Sequence, residues 1–149
     1  MRKDELDLLK TELKLLDDQK DVLQYSYGKC RKLGIKESYS IEELDGFEAL
    51  TSRFARTSDI LIQKIFRLLD IIELESPGSI IDIINRAEKR GLISSAAKFK
   101  EIRRLRNDIA HEYILSAIED INLKAMELTP HLLDSIDRVK RYVKNSHVN

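Results

Sequence analysis

Tryptophan is absent from this chain, cysteine occurs once, as Cys30, and proline only twice. A single cysteine excludes an internal disulfide and fits a reducing compartment. Two prolines and five glycines in 149 residues leave few places where a helix must stop. No uninterrupted apolar run approaches the ~18 residues that a membrane span needs. The opening Met1-Arg2-Lys3-Asp4-Glu5 is too charged for a typical signal peptide. The expectation is a cytoplasmic protein with no membrane partner. A Gly-rich phosphate loop is also missing, so an ATPase or kinase reading has no support. Asp108 and His111 have helical i, i+3 spacing, but no second His-carboxylate or Cys cluster supplies further ligands. No metal and no cofactor are expected.

An excess of either charge is lacking too. Lysine and arginine number 26, aspartate and glutamate 26. Neutrality argues against a generic nucleic-acid coat protein. The distribution is uneven, however. Between Arg86 and Arg106 stand eight basic residues, Arg86, Lys89, Arg90, Lys98, Lys100, Arg103, Arg104 and Arg106, against Glu88 and Glu101. Such a patch either attracts phosphates locally or is a solvated helix face.

What the chain does contain is helical periodicity. At 149 residues it is long enough for one domain with a sizeable core, residues 1–149, with a frayed tail expected at 145–149. Leu6, Leu9, Leu13, Leu16, Leu23, Tyr27 and Cys30 follow three-then-four spacing, which predicts a helix over about 3–33 that Gly34 ends. Leu8, Leu15 and Val22 form a second stripe, wide enough to suggest burial against a second subunit. Ser40 and Glu43 have capping-box spacing and open a second helix with Phe47, Leu50, Phe54, Leu61, Ile65, Leu68 and Ile72 on its core face. Ser79 starts a short third helix that Gly91 ends, and Ser94 or Ser95 starts a fourth. Thr129-Pro130 predicts a kink or restart in the last segment, whose apolar face is Leu132, Leu133, Ile136, Val139 and Val143. His131 and His147 read as surface residues, and Cys30 as a small core hydrophobe. The fold class is all-α, an antiparallel bundle of four to five helices.

The one stretch with readable chemistry is Arg106-Asn107-Asp108-Ile109-Ala110-His111-Glu112-Tyr113. Ile102, Leu105 and Ile109 make a core stripe, while Lys100, Arg103, Arg104, Asn107 and His111 gather on another face. Arg106 lies between the two, and Tyr113, seven residues later, falls on its side of an ideal helix. That helix does not bring Arg106 and His111 of one chain together. Either the helix end bends, or two facing subunits share the site.

Arg, four residues, His, one residue, Tyr resembles the motif of the HEPN superfamily, most closely the HepT toxin ribonucleases. Length, helix order and motif position are similar along the whole chain. The resemblance implies a HEPN-type bundle, a homodimer whose motif helices meet in a cleft, and an RNA substrate, with tRNA as a candidate. It implies as well a partner, an MNT-type nucleotidyltransferase antitoxin, that transfers AMP to the motif tyrosine, here Tyr113. Read without the resemblance, Tyr113 is a packed aromatic anchoring the helix end.

The chemistry suits the residues. RNA supplies its own nucleophile, the 2′-hydroxyl, so the protein needs an acid, a base and positive charge. A histidine such as His111 is the residue type suited to acid–base work, Arg106 offers a planar fork for phosphate oxygens, and Asn107 orients. Lys100, Arg103 and Arg104 would guide RNA without reading its sequence. The rival expectation is a non-catalytic subunit that binds nucleotide for a split nucleotidyltransferase. A purely structural bundle is the third.

Overall fold

The computed structural model describes the chain from Arg2 to His147, and within it all regular structure is helical. The elements are α1 (Arg2–Leu33), α2 (Ile41–Asp59), a π-helical stretch (Ile60–Phe66), α3 (Arg67–Ile72), α4 (Ile80–Lys89), α5 (Ala96–His111) and α6 (Leu115–Ser146). α2, the π stretch and α3 follow one another without a break, so the described residues form five rods.

The predicted periodicities decide what is buried. Leu9, Leu16, Leu23 and Cys30 recur every seven residues along α1 and are closed to solvent. Burial pushes the Cys30 thiol up from its ordinary value, as expected of a core position. Leu6, Leu13 and Tyr27 flank that seam half-buried. Gly34, at φ +67°, ends the helix in the left-handed region. Ser40 and Glu43 make the full capping box, each side chain bonding the other's backbone N–H, and Ser79 with Asp82 repeats it on α4. Ser95 caps α5 through Lys98 N.

Side-chain contacts give the directions of the rods. Lys20 reaches Asp137 at 3.0 Å and Asp17 reaches Lys140 at 2.8 Å, so α1 and α6 run antiparallel. Arg53 donates to Ser26 at 2.6 Å, and a methyl built on Gly46 would lie 4.0 Å from the Cys30 sulfur, so α1 and α2 are antiparallel too. Only Glu112, Tyr113 and Ile114 separate α5 from α6, which makes those two antiparallel neighbours.

Of the two alternatives read at Thr129-Pro130, the restart does not occur: α6 runs from Leu115 to Ser146 with the proline inside. Thr129 caps nothing, since its hydroxyl donates to Ala125 O one turn back, at 2.6 Å. Proline forfeits one backbone bond, but Leu128, Leu132 and Ile136 are buried on both sides of it and hold the rod together. At its far end α6 continues through Ser146. His147 is tucked in, its side chain 7% exposed, with Nε2 3.0 Å from Glu73 Oε2. It is no surface residue. Val148 and Asn149 lie outside the described residues.

Glu73 belongs to a polar knot at the α3–α4 end. Its carboxylate accepts from Tyr142 Oη at 2.6 Å and from Arg90 Nε at 3.0 Å. Asp70, 6% exposed, takes both Arg86 and Arg90, and Arg90 also reaches Glu75 at 3.1 Å. Burial and the Glu73 hydrogen bond push the Tyr142 hydroxyl up to about 12. Burial alone would raise the Glu73 carboxyl; the bonds from Tyr142, His147 and Arg90 outweigh it and hold that group below its ordinary value. A depressed carboxylate stabilises the fold above its ordinary value, about 4.3, and stops doing so as pH falls through the depressed one. Stability should therefore decline below about pH 4. Glu73→Gln should decline less steeply between about pH 5 and 3, followed by the urea midpoint. Parallel curves for the two proteins would show that this knot carries no such dependence.

Candidate active site at the end of the fifth helix

α5 is fixed by Phe99, Ile102 and Leu105, each at most 2% exposed, with Ile109 half-buried beyond them. That stripe is the predicted one, extended back by Phe99. It turns the charged residues into separate grooves rather than one face. Arg103, Arg106 and Asn107 line a groove of about 550 Å³ against α1 and the π stretch. Arg104 points the other way, into a second groove toward Lys124 and Glu127 of α6. The two arginines are neighbours in sequence and so about 100° apart on the helix. Lys100 lines neither of these grooves.

Arg106 is held rather than free. Its Nε and Nη2 donate to the two carboxylate oxygens of Asp59 at 2.8 and 2.9 Å, a bidentate fork. The hydrogen bonds to Asp59 raise the guanidinium further above its ordinary value. The arginine side chain remains 32% exposed, so the fork fixes its plane while leaving an edge open to the groove. Asp59 is the last residue of α2, where the π stretch begins. π turns inside helices frequently mark functional sites.

His111 is the last residue of α5 and exposed, and its imidazole bonds to no described residue. It does not line the Arg106 groove. Asn107, exposed one turn earlier, does. The structure thus joins Arg106, Arg103 and Asn107 and leaves His111 outside, as the ideal helix anticipates.

Tyr113 departs from both sequence readings. The helix stops at His111, because Glu112 turns extended at φ −90° and ψ 131°. Glu112 Oε1 then accepts from Tyr113 N at 3.1 Å and Ile114 N at 3.0 Å, satisfying amides that a further turn would have used. Tyr113 is therefore not on the Arg106 side of a helix. Nor is it a packed anchor, being 85% exposed, with Ile114 and Leu115 open beside it.

Comparison with protein-family models, with curated proteins and with solved structures returns no significant match for this chain.

The basic run from Arg86 to Arg106 is a composite. Arg86 and Arg90 are spent on the Asp70–Glu73 knot, Lys98 meets Glu101 at 3.4 Å, and Arg106 meets Asp59. Lys89, Lys100, Arg103 and Arg104 keep no ion pair among the described residues. The groove also holds residues that the motif does not announce: Glu12 and Leu15 of α1, and Asp59, Ile60, Gln63 and Lys64 around the π stretch. For Asp59, 47 residues upstream of Arg106, no local signal exists. Glu12 left a trace. With Gln19 it interrupts the second α1 stripe, Leu8, Leu15 and Val22, at helical spacing.

Proposed function

We propose that this chain is a HEPN-type endoribonuclease that acts as a toxin, with Arg106, Asn107 and His111 as its reacting side chains. The observation that carries the reading is the presentation of α5. Arg106 stands as a fixed fork in an open groove, and His111 closes the same helix unpartnered. In the reaction the 2′-oxygen loses its proton to a base and attacks phosphorus. The 5′-oxygen leaves as it takes a proton from an acid, and a 2′,3′-cyclic phosphate remains. Arg106 meets the two negative equatorial oxygens, and the imidazole of His111 moves a proton. No step calls for a bound metal or cofactor.

His111 lies outside the Arg106 groove, so a second copy of the chain supplies the missing half of the site. Leu8 and Leu15, 49% and 47% exposed, agree with that arrangement, because Leu15 walls the very groove that contains Arg106. The same separation is also what a non-catalytic nucleotide-binding subunit would tolerate, which keeps that second reading in play.

Labelled RNA, with tRNA as the first pool, should be cut in chelator and leave cyclic-phosphate ends. Its all-2′-deoxy equivalent should stay intact. Intact RNA with folded protein would move the function to the binding subunit. The regulatory half of the proposal is that an MNT-type nucleotidyltransferase adds AMP to Tyr113, placing negative charge near the motif helix. Tyr113→Phe should then escape inhibition by that enzyme's catalysis while still cutting RNA. Continued inhibition of the phenylalanine variant would remove Tyr113 from the scheme.

A further inference from the structure

Glu12 is 9% exposed, lines the Arg106 groove, and has no hydrogen bond or ion pair to any described residue. Its carboxylate is left free to accept hydrogen bonds from a molecule in the groove. Arg103 and Lys64 line the same groove, and neither makes an ion pair among the described residues. Gln63 lines it too, and its Oε1 already accepts from Arg67 Nε at 3.2 Å, so its amide N–H groups are the free end. Leu15 and Ile60 give apolar walls. The volume, about 550 Å³, is that of a small-molecule site.

We infer that this groove reads a guanine base, with Glu12 as the specificity-determining residue. The inference deepens the ribonuclease reading and rests on it for the choice of a nucleotide. An ionised carboxylate only accepts hydrogen bonds, through two oxygens side by side. Guanine alone among the four RNA bases presents two adjacent donors on its Watson–Crick edge, N1–H and the N2 amino group, and it follows them with the O6 acceptor. Adenine and cytosine each set a ring-nitrogen acceptor next to their amino group, which would face the carboxylate with repulsion. Uracil offers one N–H between two carbonyls. Glu12 matches the two donors, and the free Gln63 amide matches O6. Arg103 and Lys64 are the cations for the attached phosphate, beside the Arg106 that acts on the scissile one. Unstacked bases in single-stranded RNA expose this edge for such reading.

The test is equilibrium binding of GMP, IMP, AMP and 2′-deoxy-GMP to the full chain, by calorimetry. Wild type should bind GMP on the order of tenfold more tightly than AMP. IMP, which lacks the N2 amino group, should fall between, and 2′-deoxy-GMP should match GMP. Glu12→Gln, isosteric and checked for an unchanged melt, should erase the GMP preference. Arg103→Ala should weaken all four alike. Equal binding of GMP and AMP, a preference that survives Glu12→Gln, or a loss for 2′-deoxy-GMP as large as that for AMP would each overturn the inference. RNA cleavage with no preference at guanosine would overturn it and spare the nuclease. A Glu12-dependent GMP preference without cleavage would keep the recognition and remove the nuclease.

Discussion

Replacing His111 with alanine is expected to slow RNA cleavage by roughly 10²–10⁴-fold while leaving the melting temperature where it was. The first half follows from the loss of a placed acid or base. The second follows from the structure. The imidazole is exposed at the end of α5 and bonds to no described residue, so its removal breaks nothing in the fold. Such surface changes stay within about 0.5 kcal/mol. Arg106→Ala should lose activity on a similar scale, and here stability moves slightly because Asp59 is left alone. Both partners of that pair are about one-third exposed or more, which limits the loss to about 1 kcal/mol. Arg106→Lys separates charge from shape. A lysine keeps the positive charge but cannot make the fork that Asp59 orients, so little activity should return. Rates are compared by initial velocity on one labelled RNA. His111→Ala cutting as fast as wild type would end the proposed chemistry.

Asp70→Ala should be the most damaging single change to the fold, costing about 3–5 kcal/mol, the range for breaking a buried ion pair from one side. In a domain of this size that is a fall of roughly 10 °C in melting temperature. The reason lies in what remains. Arg90 has a side chain only 10% exposed, and without Asp70 its guanidinium keeps Glu73 and the more open Glu75 alone. Arg86 keeps Ser76 O at 2.8 Å. The damage should spread, because Arg90 also steadies Glu73, which holds Tyr142 and His147 of α6. Asp70→Asn, which can accept but carries no charge, should fall between the two. The readout is urea or thermal unfolding by circular dichroism; a loss under about 1 kcal/mol for the alanine variant would show that the remaining carboxylates suffice.

Much of the bundle was legible because its signals are local. The Ser40–Glu43 box, the Ser79 cap, the glycines at 34 and 91, and the α1 seam each depend on residues within a turn or two of one another. The π stretch was not legible. Leu61, Ile65 and Leu68 fit an ordinary helical face, and the neighbours Ile62, Phe66 and Leu69 are buried with them. Whether the chain makes i→i+5 bonds there is decided by how a long rod meets its neighbours on several sides. Pro130 misled for a related reason, since its local cost is real and the packing around it exceeds that cost. At the site, the motif identified Arg106, Asn107 and His111 as residues worth testing, but not which of them face together. Asp59 and Glu12 come from other helices, and only tertiary packing brings them to Arg106.

The position of Tyr113 has a thermodynamic consequence. The residue is 85% exposed, in a three-residue connection whose amides are already satisfied by the Glu112 carboxylate and Asp108 O. A group attached to that phenol would displace no core atom and break no backbone bond. Modified and unmodified chains should therefore share one unfolding curve. A switch built there can be thrown in either direction without drawing on the stability of the bundle, and the chain would carry its mark without being exposed to proteolysis through unfolding.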